Sequence, residues 1–165
     1  MGSKERIKIH FFVSYAHNDD KYSGAFIEEF KEMSAPSNKY DYVFWQDTEI
    51  LPGEDWESEI IEALENCELG LLLVSPAFIG SKFIDAEELP KFLGVNAKTF
   101  IPIMLNMVNF KRHNLKGLDS NQIYCLKVEN VKKPKSFAQC TPSQKTEFVY
   151  ELFDKVEKRL DKINS

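Results

Sequence analysis

Several short polar segments carry the side chains best suited to hold a ligand, and most of them directly follow an apolar run. They supply hydroxyls, carboxylates and one imidazole: Ser14, Tyr15, His17, Asp19, Asp47, Glu49, Ser75 and Ser81, and then the adjacent pair Glu87 and Glu88. Hydroxyls hydrogen-bond polar ligands, and a carboxylate stabilises positive charge that develops in a transition state. These residue types therefore predict a polar-ligand site that includes a carboxylate.

Other kinds of chemistry lack their sequence patterns here. The chain has no GxSxG elbow, no Walker loop and no GxGxxG fingerprint, and its three histidines show no metal-ligand spacing. We therefore predict neither a metal nor a cofactor. The net charge of −5 argues against nucleic acid binding, because that function needs a basic surface to displace counterions. The basic residues within 132–135 form too short a patch to change this balance.

Composition also bears on the compartment. Hydrophobic residues make up 43% of the chain, which indicates a packed domain rather than disorder. No apolar run approaches the ~20 residues that span a bilayer, so no membrane segment is predicted. The cysteines Cys67, Cys125 and Cys140 are odd in number and lack CxxC spacing, which favours a reducing, cytoplasmic compartment.

Strand-like and helix-like patterns alternate along the chain. Short apolar runs predict five strands, over residues 7–15, 40–46, 69–75, 98–105 and 122–128. Helical spacing follows most of them, including a helix over residues 56–66 and a last helix that begins at Pro142. The pattern predicts one α/β domain over residues 1–165, with residues 1–5 a flexible or cloning-derived start. We expect a flavodoxin-like five-stranded parallel sheet of order 2-1-3-4-5, with helices on both faces and a bend or gap at Pro102.

That strand order determines where a site would lie. Ligands of open α/β sheets bind outside the carboxyl ends of the strands, at the point where the strand order reverses. With the order 2-1-3-4-5, this point lies between the first and third strands. The loops over residues 16–20 and 76–81 meet there, beside the loop over residues 47–55. The topology therefore brings the polar segments together.

At these loops the sequence resembles the Toll/interleukin-1 receptor (TIR) domain family, in its prokaryotic form. FVSYAH at residues 12–17 is similar to the first box of the family. Residues 45–53, which contain WQD and then ILPG, resemble the second strand of the family and the loop after it, which is called the BB loop. Residues 56–64 resemble the next helix, and residues 72–83 resemble the segment LLVSP with its later Phe and Ser. ELP at residues 88–90 matches the pair Glu-Leu that follows.

The resemblance implies an activity. Many prokaryotic and plant TIR domains cleave NAD⁺ at the nicotinamide–ribose bond and release ADP-ribose, or cyclic or conjugated variants of it, as signals in antiviral immune defence. Others are non-catalytic scaffolds that associate with further TIR domains. The family also implies self-association through the BB loop, here Ile50, Leu51, Pro52 and Gly53. NAD⁺ would be a substrate, and the partners would be other TIR domains.

The enzymes of the family carry a catalytic Glu in the helix after the third strand, and this chain offers two. The commonest family spacing from Ser81 points to Glu87, whereas the Glu-Leu pair points to Glu88. Leu89, Phe92 and Leu93 define a buried helix face, which would turn Glu87 towards solvent and leave Glu88 at the core boundary. This geometry favours Glu88 as the catalytic residue, with Glu87 as the alternative. Phe83 and Ile84 do not fit the same face.

The remaining predicted contacts follow from the family match. Phe83 would line the nicotinamide or ribose pocket, and Ser14, Tyr15, Asp47 and Ser81 would contact the substrate. Asp47 has a second interpretation, because its carboxylate could instead cap backbone amides of its own loop. A receiver domain is a further alternative, but it needs an Asp at the end of the third strand, where this chain has Ser75-Pro76.

Overall fold

The sheet consists of four parallel strands. The computed structural model of the chain describes residues 5–46, 55–94 and 96–165. The strands are β1 (Ile7–Ser14), β2 (Tyr40–Trp45), β3 (Leu69–Val74) and β4 (Thr99–Met104). Their order in the sheet is β2-β1-β3-β4, and all three neighbouring pairs are parallel. The expected order is therefore confirmed for these four strands, and β1 and β3 lie side by side at the centre.

The prediction of a fifth strand over residues 122–128 is wrong among the described residues. That segment touches β4 at a single parallel bridge, between Ile103 and Tyr124. Pro102 faces this edge and has no N–H, so the rung before the bridge loses its donor. On the other side of the bridge, Leu126 exchanges backbone hydrogen bonds with Lys135, at 2.9 and 2.7 Å. The ladder is therefore interrupted at both ends after one rung.

Helices cover both faces of the sheet. The first face carries α1 (Asp20–Ser34) and α5 (Pro142–Ile163), and the second carries α2 (Trp56–Asn66), α3 (Pro76–Gly80) and α4 (Leu89–Leu93). Neighbouring residues of β1 show the division, because Phe11 packs with α1 and α5 while Phe12 packs with the helices of the second face. This alternation is the one that a strand buried on both faces requires.

The helix ends follow local signals. At the start of α5, the side chain of Thr141 caps the N–H of Gln144, the side chain of Gln144 caps Thr141 in return, and Pro142 occupies the first turn. The chain also forms 3₁₀ turns at His17–Asp19, Ser120–Gln122 and Phe137–Gln139, and a π-helical turn at Ile84–Glu88. None of the described helices is both long and apolar enough to cross a membrane.

Candidate functional site

A cavity of about 350 Å³ opens at the carboxyl ends of β1 and β3. Its walls come from the turn after β1, the first turns of α2, and the segment between α3 and α4. Small-molecule sites commonly have volumes of ~300–1,000 Å³, so the cavity is large enough for part of a dinucleotide. It lies where the strand order reverses, which is the position that the topology predicts.

Glu88 lines this cavity, and Glu87 is not among the described residues that do. The side chain of Glu88 is buried, with 5% exposure, at the end of the π-helical turn, whereas Glu87 is exposed. The described residues that line the cavity include no Lys or Arg. Burial lowers the effective dielectric constant around a carboxylate, which strengthens its attraction to a cationic group.

Aromatic rings form much of the remaining wall. Phe83 is half-buried and contacts Trp56, with 5.1 Å between the ring centroids and 49° between the planes. Trp45 stacks on Phe12, with 5.2 Å between the ring centroids. Ring faces of this kind bind a planar or cationic ligand group. Phe83 and both tryptophans line the cavity.

A hydrogen bond between buried side chains joins the segments that follow β1 and β3, next to the cavity, and the sequence did not reveal it. Ser75, after β3, donates its hydroxyl to the carboxylate of Asp19, which ends the turn after β1. The same Ser75 oxygen accepts the N–H of Phe78 at 3.0 Å and thereby caps α3. Asp19 and Ser75 are 7% and 0% exposed, respectively. Both were among the polar residues of the sequence, but only the tertiary structure pairs them.

The predicted substrate contacts fall into three groups. Tyr15, Ser81 and Phe83 line the cavity. Ser14 is buried beside it, at 1% exposure, and its hydroxyl is the one buried side-chain polar atom of the described residues that has no hydrogen-bond partner. Asp47 lies outside the described residues.

The expected self-association loop, Ile50, Leu51, Pro52 and Gly53, also lies outside the part of the chain that the structure describes. The cavity adjoins this loop on both sides in sequence, since Trp45 precedes it and Trp56 follows it. Its prediction as an assembly surface therefore stays a prediction.

The helix that carries Glu88 is held close to the sheet. Gly70 of β3 lies directly under the ring of Phe92, and a Cβ at this position would collide with that ring. On the outer side, Lys116 forms an ion pair with Asp85 at 3.6 Å. The glycine permits the close approach and fixes the depth of α4, and with it the height of Glu88 in the cavity wall.

Other reactive groups of the described residues lie elsewhere. Burial raises the pKa of the Cys67 and Cys125 thiols to about 11, so neither ionises near neutral pH. No group of three or more His, Cys, Asp or Glu in the described ranges could hold a metal ion. The described residues that line the cavity include one Glu, Glu88, two residues with hydroxyls, Tyr15 and Ser81, and one imidazole, His17.

Comparison with protein families identifies the family of the chain. A family model described as TIR domain matches residues 11–140, a range that contains the whole cavity wall from Phe12 to Glu88. No curated protein matches the chain. The matched range ends at Cys140, just before α5.

Proposed function

From the membership of this chain in the TIR domain family, we propose that it is an NAD⁺ nucleosidase that cleaves the nicotinamide–ribose bond. The observation that carries the proposal is the buried carboxylate of Glu88 in an aromatic cavity without Lys or Arg among its described lining residues. Such a cavity suits the nicotinamide ring of NAD⁺, which is planar and positively charged.

The chemistry needs little more than one carboxylate. Nicotinamide leaves as a neutral molecule from a cationic pyridinium, so the leaving group requires no general acid. The transition state resembles an oxocarbenium ion, as in glycoside hydrolysis. The Glu88 carboxylate would stabilise that cation and accept hydrogen bonds from the ribose hydroxyls. Water then attacks the anomeric carbon to give ADP-ribose, or another nucleophile attacks it to give a cyclic or conjugated product.

The other residues of the cavity would orient the substrate. The ring of Phe83 would cover the nicotinamide or ribose, while Tyr15 and Ser81 would contact the ligand at the rim of the cavity. Ser14 and Asp47 complete the proposed set. We further propose that copies of the domain self-associate through Ile50, Leu51, Pro52 and Gly53, and that the activity serves cytoplasmic antiviral defence.

The test is nicotinamide release from NAD⁺ at high protein concentration or on a crowding surface, because self-association would favour the active form. Glu88→Gln keeps the size of the side chain and removes its charge, and we expect it to lower kcat by about 10²–10³-fold. The matched control is Glu87→Gln, the same change one residue away at an exposed position. We expect that variant to keep its rate within about twofold of wild type.

Two results would contradict the proposal. Wild-type protein that releases no more nicotinamide than Glu88→Gln would reject the enzyme and leave a TIR scaffold as the function. A loss of activity in Glu87→Gln but not in Glu88→Gln would keep the enzyme and reject the assignment of its carboxylate.

A further inference from the structure

The helix between Ser81 and Gly94 changes its geometry at one turn. Residues 82–83 are α-helical, Ile84–Glu88 form a π-helical turn, and α4 continues from Leu89 to Leu93. At the end of the π turn, the N–H of Leu89 donates to the carbonyl of Ile84, five residues earlier. The turn therefore holds one residue more than an α-helical turn would.

The residue after Leu89 supplies a local cause. Pro90 has no N–H, and in a regular α-helix its ring would collide with the carbonyl of Ala86, four residues earlier. The π turn ends just before Pro90 and widens the helix at the point where the collision would occur. Pro90 itself is exposed.

The extra residue changes which side chains share a face. In an α-helix each residue advances by about 100°, so Phe83 and Glu88 would point about 140° apart. A π turn brings residues i and i+5 towards alignment. The same relation holds for Ile84 and Leu89, which are both buried, with 2% and 3% exposure. The π turn thus lets Phe83 and Glu88 line one cavity while Ile84 and Leu89 both pack in the core.

We propose that Pro90 is a positioning residue that, through the π turn, holds the Phe83 ring and the Glu88 carboxylate on the same wall of the cavity. Where nicotinamide release is the readout, this inference rests on the proposed function. It also accounts for the misfit of Phe83 and Ile84 with the helix face of Leu89 and Phe92, since that face assumes an uninterrupted α-helix.

A pair of changes with opposite effects on helix register tests this role. Pro90→Ala restores the N–H and permits a regular α-helix, which would turn Phe83 away from Glu88. Deletion of Ala86, an exposed residue, places Phe83 four residues before Glu88, which is one turn of α-helix. With Pro90 present, however, the shortened helix brings the proline ring against the carbonyl of Asp85.

We expect each single change to lower kcat for nicotinamide release by about tenfold or more, with a smaller change in KM, because the reacting groups are misaligned. The combination of Pro90→Ala with the deletion should recover to within about threefold of wild type, since an α-helix then carries both groups on one face. Pro142→Ala, at the first turn of α5 and away from the cavity, is the matched control and should leave kcat unchanged.

Mutual rescue distinguishes positioning from a purely structural role. If Pro90 only stabilised the fold, the two losses would add in the combined variant, and that result would overturn the inference. If the deletion variant fails to fold, Pro90→Ala alone tests the positioning role. An unchanged kcat together with an unchanged contact between the Trp56 and Phe83 rings would then overturn the inference.

The ring contact between Trp56 and Phe83 provides a measurement that needs no activity. Nuclear Overhauser effects between these rings, 5.1 Å apart, should weaken in Pro90→Ala and return in the combined variant. If they do so while no variant, wild type included, releases nicotinamide, the proposed function fails and the positioning role stands. If wild type is active and Pro90→Ala is equally active with the same ring contact, only the positioning role fails.

Discussion

The hydrogen bond between Ser75 and Asp19 gives the sharpest test of how the cavity is held together. Ser75→Ala removes one hydroxyl that is completely buried and makes two contacts. It donates to the carboxylate of Asp19 in the turn after β1, and it accepts the N–H of Phe78 at the start of α3.

Both contacts contribute to the cost of the substitution. Loss of an N-cap side chain costs ~1 kcal/mol in free energy of unfolding. A hydrogen bond to a charged group contributes ~1.5–3 kcal/mol, and here the Asp19 carboxylate would stay buried without that donor. We therefore expect Ser75→Ala to lower the free energy of unfolding by about 3 kcal/mol.

Ser34→Ala is the matched control, because Ser34 is equally buried at 1% exposure and loses the same atom. Its hydroxyl donates only to backbone carbonyls of its own helix, at 2.7 Å for Phe30. That carbonyl keeps its helical N–H partner, so the cost should stay under about 1 kcal/mol. Urea denaturation followed by circular dichroism, with m-values compared, measures both variants.

A double-mutant cycle isolates the interaction between the two side chains. In an Asp19→Asn background the buried group carries no charge, so Ser75→Ala should cost about 1–2 kcal/mol less than in wild type. Equal costs in the two backgrounds would refute the charged hydrogen bond. A cost for Ser75→Ala within about 0.5 kcal/mol of that for Ser34→Ala would refute the whole account.

Two further predictions concern a buried hydroxyl and an exposed carboxylate. Ser14→Ala should leave the urea midpoint of unfolding unchanged or raise it, because the buried Ser14 hydroxyl has no hydrogen-bond partner among the described residues. KM for NAD⁺ should rise if that hydroxyl contacts the substrate. A lower urea midpoint would contradict the stability prediction. Tyr40→Phe should raise the pKa of Asp161, which the Tyr40 hydroxyl at 2.6 Å and the Lys39 ammonium hold below its usual value. The hydrogen bond between Tyr40 and Asp161 should therefore stabilise the fold at pH values above the usual Asp pKa. This contribution is lost as the pH falls through the lower pKa that Asp161 has in the folded protein. An NMR titration in which Tyr40→Phe leaves the pKa of Asp161 unchanged would contradict this.

Much of the fold could be predicted because its signals are local. The apolar run of β3 is buried along its whole length, so it needs no alternation and is recognised from composition alone. The helix predicted over residues 56–66 has the bounds Trp56–Asn66, and the last helix begins at the predicted Pro142. In each case, hydrophobic spacing or capping residues within a few positions determine the structure.

The fifth strand could not be predicted correctly, because its pairing depends on a partner far along the chain. Residues 122–128 have the composition of a strand, and Tyr124 does reach β4. Pro102 was recognised as a defect in the ladder, but the sequence did not show that its missing N–H faces this edge. Nor did the sequence show that the backbone of Leu126 forms its hydrogen bonds with Lys135 and not with β4. A strand needs a continuous partner, and propensity carries no information about one.

The candidate site divides in the same way. The burial of Glu88 and the exposure of Glu87 follow from the neighbouring Leu89 and Phe92, because a helix face is a local property. Leu93 was predicted for the same buried face, but it is exposed at 37%, because it lies at the last position of α4. Phe83 did not fit that face, because a regular α-helix advances 100° at every residue and the π turn at Ile84–Glu88 departs from that geometry. The sequence did contain the cause, in the form of Pro90 one position after Leu89. A proline inside a helical pattern therefore indicates more than the end of a helix, because it can change the helical register of the residues before it. Here that change places the Phe83 ring on the same cavity wall as the proposed catalytic carboxylate of Glu88.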